Sequence, residues 1–144
     1  MASFVKVNDF VLHCAHGVHD LSSDQIVVAL SNTAPGSESS NPTADGNGVL
    51  ANVTQVTYTN LSSRDVTTTS SAGSSGTYKL ALTDLNLAAS GGSVGPFRYV
   101  YLYNDDAASD NLIGYYDYGS SITLNDGEDI DIDFSEANGV LTLA

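Results

Sequence analysis

The sequence predicts an all-β protein: an antiparallel β-sandwich of the jelly-roll or immunoglobulin-like kind with a short N-terminal arm. From residue 25 onward, apolar and polar residues alternate with the two-residue period of a strand. Runs of Ser, Thr, Asn, Asp and Gly, which are typical of turns, separate these segments. The chain has 144 residues, 42% of them hydrophobic, which suffices for one core. We expect residues 1–20 to form the arm and residues 21–144 to form the sandwich domain.

The apolar residues of the arm fit two kinds of element. Five of them share one face if the segment is a helix: Phe4, Val7, Phe10, Val11 and Cys14. Val5 and Val7 can equally start a strand. We therefore expect an extended or partly helical arm, and we expect its residues Phe4, Phe10 and Val11 to contact a partner.

The first half of the sandwich domain contains two predicted strands and two predicted loops. Both strands are rich in β-branched residues, and they cover residues 25–31 (QIVVALS) and 53–59 (VTQVTYT). The loops cover residues 32–48 and 67–76, where small and polar residues predominate.

The second half has the clearer strand pattern. We predict strands over 97–104 and 112–118, joined by a polar hairpin loop over 105–111. Strand 97–104 carries bulky residues on both faces, which indicates a central strand buried on both sides. Asn-Asp-Gly at 125–127 and Asn-Gly at 138–139 are turn signals. The remaining predicted strands are 77–88 (one bent strand or two short ones), 121–124, 129–134 and 139–143.

The charge of the chain excludes two classes of partner. There are 17 acidic residues and four basic ones, a formal net charge of −13. The basic residues lie singly along the chain: Lys6, Arg64, Lys79 and Arg98. Binding to a nucleic-acid backbone requires clustered Lys and Arg, and an anionic membrane repels the same surface. We expect no nucleic-acid and no membrane partner. The acidity either serves solubility or attracts a positive partner surface.

We expect the chain to fold in a reducing compartment such as the cytoplasm, or to belong to an assembly that never needed oxidation. Cys14 is the only cysteine, so no intramolecular disulfide can form. The N-terminal residues lack the apolar region of a signal peptide. No apolar run approaches the ~20 residues of a transmembrane helix.

Three aspartates alternate with three apolar residues along the predicted strand 129–134. The aspartates are Asp129, Asp131 and Asp133, and the apolar residues are Ile130, Ile132 and Phe134. A solvated strand face is the simplest interpretation, since like charges along a strand discourage edge pairing. The alternatives are a docking surface for Lys or Arg of a partner, and a calcium site, although D-x-D-x-D lacks the glycine and the glutamate of an EF-hand loop. We treat the three aspartates as candidate partner contacts.

Two further groups of residues have a functional and a structural interpretation. The first contains zinc-type ligands: His13, Cys14, His16 and His19. It lacks a second ligand pair, and its spacing spreads the imidazoles around a helix, so we expect no metal and no cofactor. The second contains tyrosines at 99, 101, 103, 115, 116 and 118. At strand spacing we expect core packing and cross-strand pairs, in preference to stacking on sugars or bases.

No complete catalytic template matches the sequence. It contains no P-loop and no H-E-x-x-H. G-x-S-x-G occurs once, as GGSVG at 91–95, but it precedes the predicted strand 97–104 where a nucleophile elbow would precede a helix, and no His and Asp accompany the serines in a recognisable pattern. A carboxylate pair of the glycosidase kind stays open, because two acids distant in sequence can meet in space. We expect a binding or scaffolding protein, not an enzyme.

Several segments of the chain carry a family resemblance. They are GGSVGPFRYV at 91–100, LYNDD at 102–106, LIGYYDYGSSITL at 112–124, F-x-K-x-N-D-F at 4–10, G-x-H at 17–19 and LSNTAP at 30–35. Together they cover most of the chain outside the loops at 36–52 and 60–76. In these segments the chain resembles small structural proteins of tailed bacteriophages, which are similar to head decoration (cement) proteins.

The resemblance implies a location on the outer capsid surface of a virion, where such proteins lock neighbouring capsid subunits. It implies two partners, the major capsid protein and other copies of the chain in a homotrimer or homodimer, with assembly in the host cytoplasm. It supplies no catalytic residues. A phage tail or fibre module and a glycan-binding β-sandwich are the alternative functions.

Overall fold

The computed structural model describes residues 3–36, 48–135 and 137–144. Among these described residues, strands make up 49% and helices 8%, so the predicted all-β, sandwich-like class is confirmed. In chain order the elements are β1 (Phe4–Lys6), α1 (Asn8–Ala15), β2 (Ile26–Ser31), a 3-10 helix (Leu50–Asn52), β3 (Asp65–Val66), β4 (Thr68–Ser74), β5 (Thr77–Leu82), β6 (Leu85–Ala88), β7 (Val94–Asn104), β8 (Leu112–Leu124), β9 (Asp129–Ile132) and β10 (Leu141–Leu143).

The strands form three antiparallel sheets around one hydrophobic core. The largest sheet has the order β1-β8-β7-β2-β3, and the smaller sheets have the orders β10-β5-β4 and β6-β9. Tyr116 on β8 and Phe134, just after β9, bring the layers into contact, with ring centroids 6.2 Å apart. One cluster of buried side chains contains residues from all three sheets.

β7 is the central strand of the large sheet, as predicted. Its tyrosines Tyr99, Tyr101 and Tyr103 are buried on one face, and Val100 and Leu102 are buried on the other. Tyr101 lies opposite Tyr115 of β8 in the strand register, and their ring centroids are 5.6 Å apart. The interpretation of these tyrosines as core residues and cross-strand pairs is therefore confirmed.

The loop at 105–111 connects β7 to β8 as a hairpin, as predicted. Buried Asn104 closes it: its Oδ1 accepts hydrogen bonds from the backbone N–H groups of Asp106 and Ala107. β8 is longer than predicted, since it joins the segments 112–118 and 121–124 into one strand. The turn signals at 125–127 and 138–139 both fall in turns.

The prediction of a strand over 53–59 is wrong. The segment follows the outer edge of β2, where the Val56 N–H donates to the Leu30 carbonyl at 3.0 Å. The Leu30 N–H, however, donates to the hydroxyl of Tyr58 at 2.9 Å. Because a side chain takes the place of a backbone acceptor, the ladder does not continue beyond one isolated bridge between Ser31 and Gln55.

The prediction of a loop over 67–76 is also wrong, because β4 occupies most of it. Ser75 and Gly76 form the two-residue turn between β4 and β5, with φ of 51° and 81°. Positive φ at both positions defines a type I′ turn, which matches the twist of antiparallel strands. The turn therefore pairs a Ser- and Thr-rich segment that carries no strand signal of its own.

The N-terminal segment is extended at β1 and helical at α1, and it packs on the sandwich. β1 pairs with β8, and the Val7 N–H extends this pairing by donating to the Ile113 carbonyl at 3.0 Å. Gly114 of β8 makes the approach possible, since an added Cβ would overlap the Phe4 ring and the Val5 carbonyl oxygen. None of the described helices is long and apolar enough to span a membrane.

Candidate partner-contact surfaces

The acidic ribbon, which we define as Asp129, Asp131 and Asp133, has the predicted facing. All three aspartates are exposed. Of the alternating apolar residues, Ile132 and Phe134 are fully buried and Ile130 is half-buried. The two-residue period of the strand thus places every carboxylate of the ribbon on the outer surface.

A neutral amide bridges two of the three carboxylates of the ribbon. Asn86 of β6 lies opposite Asp131, and its Nδ2 donates to Asp129 Oδ2 at 2.7 Å and to Asp131 Oδ1 at 2.8 Å. Within the described part of the chain, no Lys or Arg lies within ion-pair distance of the ribbon. The negative charge of the ribbon is consequently not neutralised by the protein itself.

Three of the four basic residues make internal contacts. Arg98 forms a bidentate pair with Asp117, at 2.7 and 3.1 Å, and this lowers the pKa of the Asp117 carboxyl.

Arg64 donates to the Val28 carbonyl at 2.6 Å, and its guanidinium lies 3.9 Å from the centroid of the Tyr58 ring. Lys79 Nζ donates to the Ala137 carbonyl at 3.2 Å. The fourth, Lys6, is exposed on β1.

The N-terminal segment presents three exposed large apolar residues: Val5 at 43%, Val11 at 51% and Leu12 at 48% exposure. Val11 was predicted as a contact and is accessible. Phe4 is half-buried, with its ring 5.2 Å from that of Tyr116. Phe10 is fully buried, which corrects its assignment as a partner contact: it anchors α1 in the core. The sequence interpretation missed Val5 and Leu12, whose orientation follows only once Val7 and Phe10 are known to point inward.

His19 is packed against the N-terminal helix. Its ring centroid lies 5.0 Å from that of Phe10 and 6.1 Å from that of His13. The amide of Asn104 donates to Asp24 at 2.6 Å and lies 3.1 Å from His19 Nδ1. Because an amide nitrogen only donates, Nδ1 accepts and the neutral ring carries its proton on Nε2. Nε2 is buried and has no hydrogen-bond partner among the described residues.

Cys14 and His19 both line a cavity of about 300 Å³ between α1 and the sheet β10-β5-β4, together with Tyr78 and Leu143. Burial raises the pKa of the Cys14 thiol, so at neutral pH the group is a thiol rather than the thiolate that attacks substrates or binds metals. His16 is exposed at the end of α1. In residues 3–36, 48–135 and 137–144, no group of three metal-binding side chains comes together.

The environment of His19 makes the protein sensitive to acid. Burial lowers the pKa of His19 from 6.5 to about 4. From about pH 6.5 down to about pH 4, the unfolded chain therefore binds a proton that the folded protein does not, and stability falls as pH falls. We expect the Tm of the wild type to fall more steeply over this range than that of His19→Gln.

His16→Gln is the matched control, since His16 is exposed, and we expect it to keep the wild-type dependence of Tm on pH. All three proteins contain the same carboxylates, so the contribution of the carboxylates to the slope of Tm against pH is common to them. Equal slopes for His19→Gln and the wild type would contradict the predicted role of His19.

Comparisons of the chain with protein-family models, curated protein sequences and solved structures find no match.

Proposed function

We propose that the protein binds the outer surface of a tailed-bacteriophage capsid and stabilises it, as a decoration or cement protein. The resemblance of the segments at 4–10, 30–35, 91–100, 102–106 and 112–124 motivates the choice of partner. The distribution of charge is the observation that carries the proposal. Among the described residues, no Lys or Arg pairs with the exposed ribbon, while Arg64, Lys79 and Arg98 make internal contacts. A surface of this kind repels packaged DNA and suits the outer side of the shell.

The resembling segments lie mainly in the scaffold of the fold. Residues 91–100, 102–106 and 112–124 include β7, β8 and the start of the loop between them. Most side chains of β7 are buried there. These three segments consequently specify the central hairpin, and we place the contacts with a capsid outside that hairpin. The acidic ribbon and the exposed residues of the N-terminal segment are the surfaces we assign to them.

Binding, without catalysis, accounts for such a role. Each copy needs an interface of ordinary size, about 1,600 Å² in total, across a seam between capsid subunits. Many such contacts on one particle add through multivalency. Ion pairs made by the ribbon should weaken with salt, whereas apolar contacts of the kind Val11 offers should not.

The buried tyrosines argue against a glycan-binding role. Sugar rings stack on exposed aromatic faces. Tyr99, Tyr101 and Tyr103 are buried in the described structure, so the stripe that they form along β7 is not available for stacking.

The proposal is tested on particles made without the protein. We expect such particles to lose their DNA at a lower temperature than complete particles, and addition of the purified protein to restore the higher temperature. Particles of full heat stability that fail to adsorb to the host would instead indicate a tail or fibre component and would overturn the proposal.

Variants with reduced charge then locate the contact. We expect Asp131→Asn with Asp133→Asn to need an about tenfold higher protein concentration for the same protection. The matched control, Asp65→Asn with Asp105→Asn, removes the same charge from exposed positions outside the ribbon. Equal protection by the two double variants would contradict the role of the ribbon.

A further inference from the structure

β4 is an exposed edge strand. It forms one side of the sheet β10-β5-β4 and, within the described residues, pairs only with β5. Five of its seven residues are exposed: Thr69, Ser70, Ala72, Gly73 and Ser74. The strand therefore offers the surroundings an unpaired row of backbone groups.

The turn after β4 identifies which groups these are. In a two-residue hairpin the residues flanking the turn, here Ser74 and Thr77, exchange backbone hydrogen bonds. The direction of the backbone N–H and C=O groups then alternates along the strand. Those of Ala72 also bond to β5, whereas those of Ser71 and Gly73 point away from β5. No backbone partner for these outward groups occurs in the described chain.

β4 lacks the devices that protect the edge strands β1, β3, β9 and β10. Natural edge strands are kept apart by charged side chains, proline or shortness. β9 carries Asp129 and Asp131, β1 carries Lys6, and β3 and β10 have only two and three residues. β4 has seven residues, none charged and none proline, and its only irregularity lies at its start, between Thr68 and Ser70. An edge of this kind is suited to pairing with another strand.

The distribution of charge indicates which strand this is. Two copies of a chain with net charge −13 repel each other wherever carboxylates meet. Residues 66–83, which include β4 and β5, contain one charged residue, Lys79, and no carboxylate. β4 and β5 therefore bring no carboxylate of their own to a contact between two copies.

We infer that β4 pairs antiparallel with β4 of a second copy of this chain. Antiparallel pairing of one strand with itself has two-fold symmetry, so each outward N–H meets an outward C=O of the other copy. The two three-stranded sheets become one six-stranded sheet, and the Ser and Thr hydroxyls of both copies lie close enough to hydrogen bond across it. The interface is small, so the dimer is weak in solution and is favoured by crowding on a capsid.

This inference deepens the proposed function by naming the surface for self-association. It rests on the proposed function only where it states that crowding of copies on a capsid favours the dimer. Sedimentation equilibrium of the purified full chain tests it without capsids. We expect a monomer–dimer equilibrium that Ala72→Glu weakens about tenfold or more, because the variant places like charges on both paired strands. Gly73→Pro should have a similar effect, since it removes an outward N–H that β5 does not use.

Ala108→Glu is the control, because it adds the same charge at an exposed position in the loop at 105–111. We expect it to dimerise like the wild type, and we expect all three variants to keep the wild-type Tm within a few degrees. A wild-type chain that stays monomeric would overturn the inference. If the β4 variants then also lost capsid binding, β4 would pair with a strand of the capsid protein and not with a second copy of this chain. The inference would also be overturned if Ala72→Glu and Ala108→Glu weakened dimerisation equally. The same holds if neither β4 variant weakened dimerisation. None of these results bears on whether the protein protects capsids from heat.

Discussion

Replacing Ile132 with aspartate is expected to destabilise the protein by several kcal/mol. The side chain is fully buried where β9 pairs with Leu85 of β6. The substitution removes roughly 2 kcal/mol of apolar burial and places a carboxylate in the apolar core, away from water. Since domains of this size are stable by only about 5–15 kcal/mol, the variant loses a large share of its free energy of unfolding. Urea denaturation monitored by circular dichroism measures the change.

Asp131→Ser is the matched control, one residue away on the same strand. Its side chain is exposed and accepts one hydrogen bond from Asn86, so we expect a change within about 0.5 kcal/mol. If the two variants had equal urea midpoints, the strand would have its other face toward the core, because a shift of one residue exchanges the two faces.

Replacing Phe10 with alanine is expected to cost about 3–5 kcal/mol, the usual range for removing a buried aromatic ring. The ring is fully buried in the core and lies 5.0 Å from that of His19, so its loss leaves a cavity beneath α1. The same measurement applies, and loss of the pH dependence assigned to His19 should accompany the loss of stability.

The neighbouring residue provides the control for Phe10. Val11 is 51% exposed, so Val11→Ala should change stability by no more than about 0.5 kcal/mol. If Phe10→Ala were as mild as Val11→Ala, the N-terminal segment would be undocked in solution, as an independent arm would be.

The elements that the sequence predicted well are those whose side chains determine the structure. β7 carries bulky residues on both faces, and only a central position buries both. The ribbon alternates charge with apolar bulk, so a single register keeps the carboxylates in water. The same pattern located the acidic candidate site, because exposure follows directly from alternation.

The elements that the sequence misplaced are those that backbone hydrogen bonds or tertiary packing determine. β4 has no apolar face, and the turn at Ser75 and Gly76 pairs it with β5. The segment 53–59 has the composition of a strand, but the Tyr58 hydroxyl takes a ladder position. Phe10 and Val11 differ by only one step on an eight-residue helix, so periodicity alone does not decide which of them the core receives.

The order of the strands also determines when the protein can fold. Phe4 of β1 pairs with Tyr116 of β8, Leu85 of β6 with Ile132 of β9, and Leu80 of β5 with Leu141 of β10. Pairing of residues so distant in sequence closes long loops, and such topologies fold in roughly milliseconds to seconds. A nascent chain therefore keeps β1 without its partner strand until residues 114–116 have left the ribosome. During that interval Val7 and Phe10 lack the core that later covers them, which leaves the N-terminal segment of the nascent chain open to aggregation.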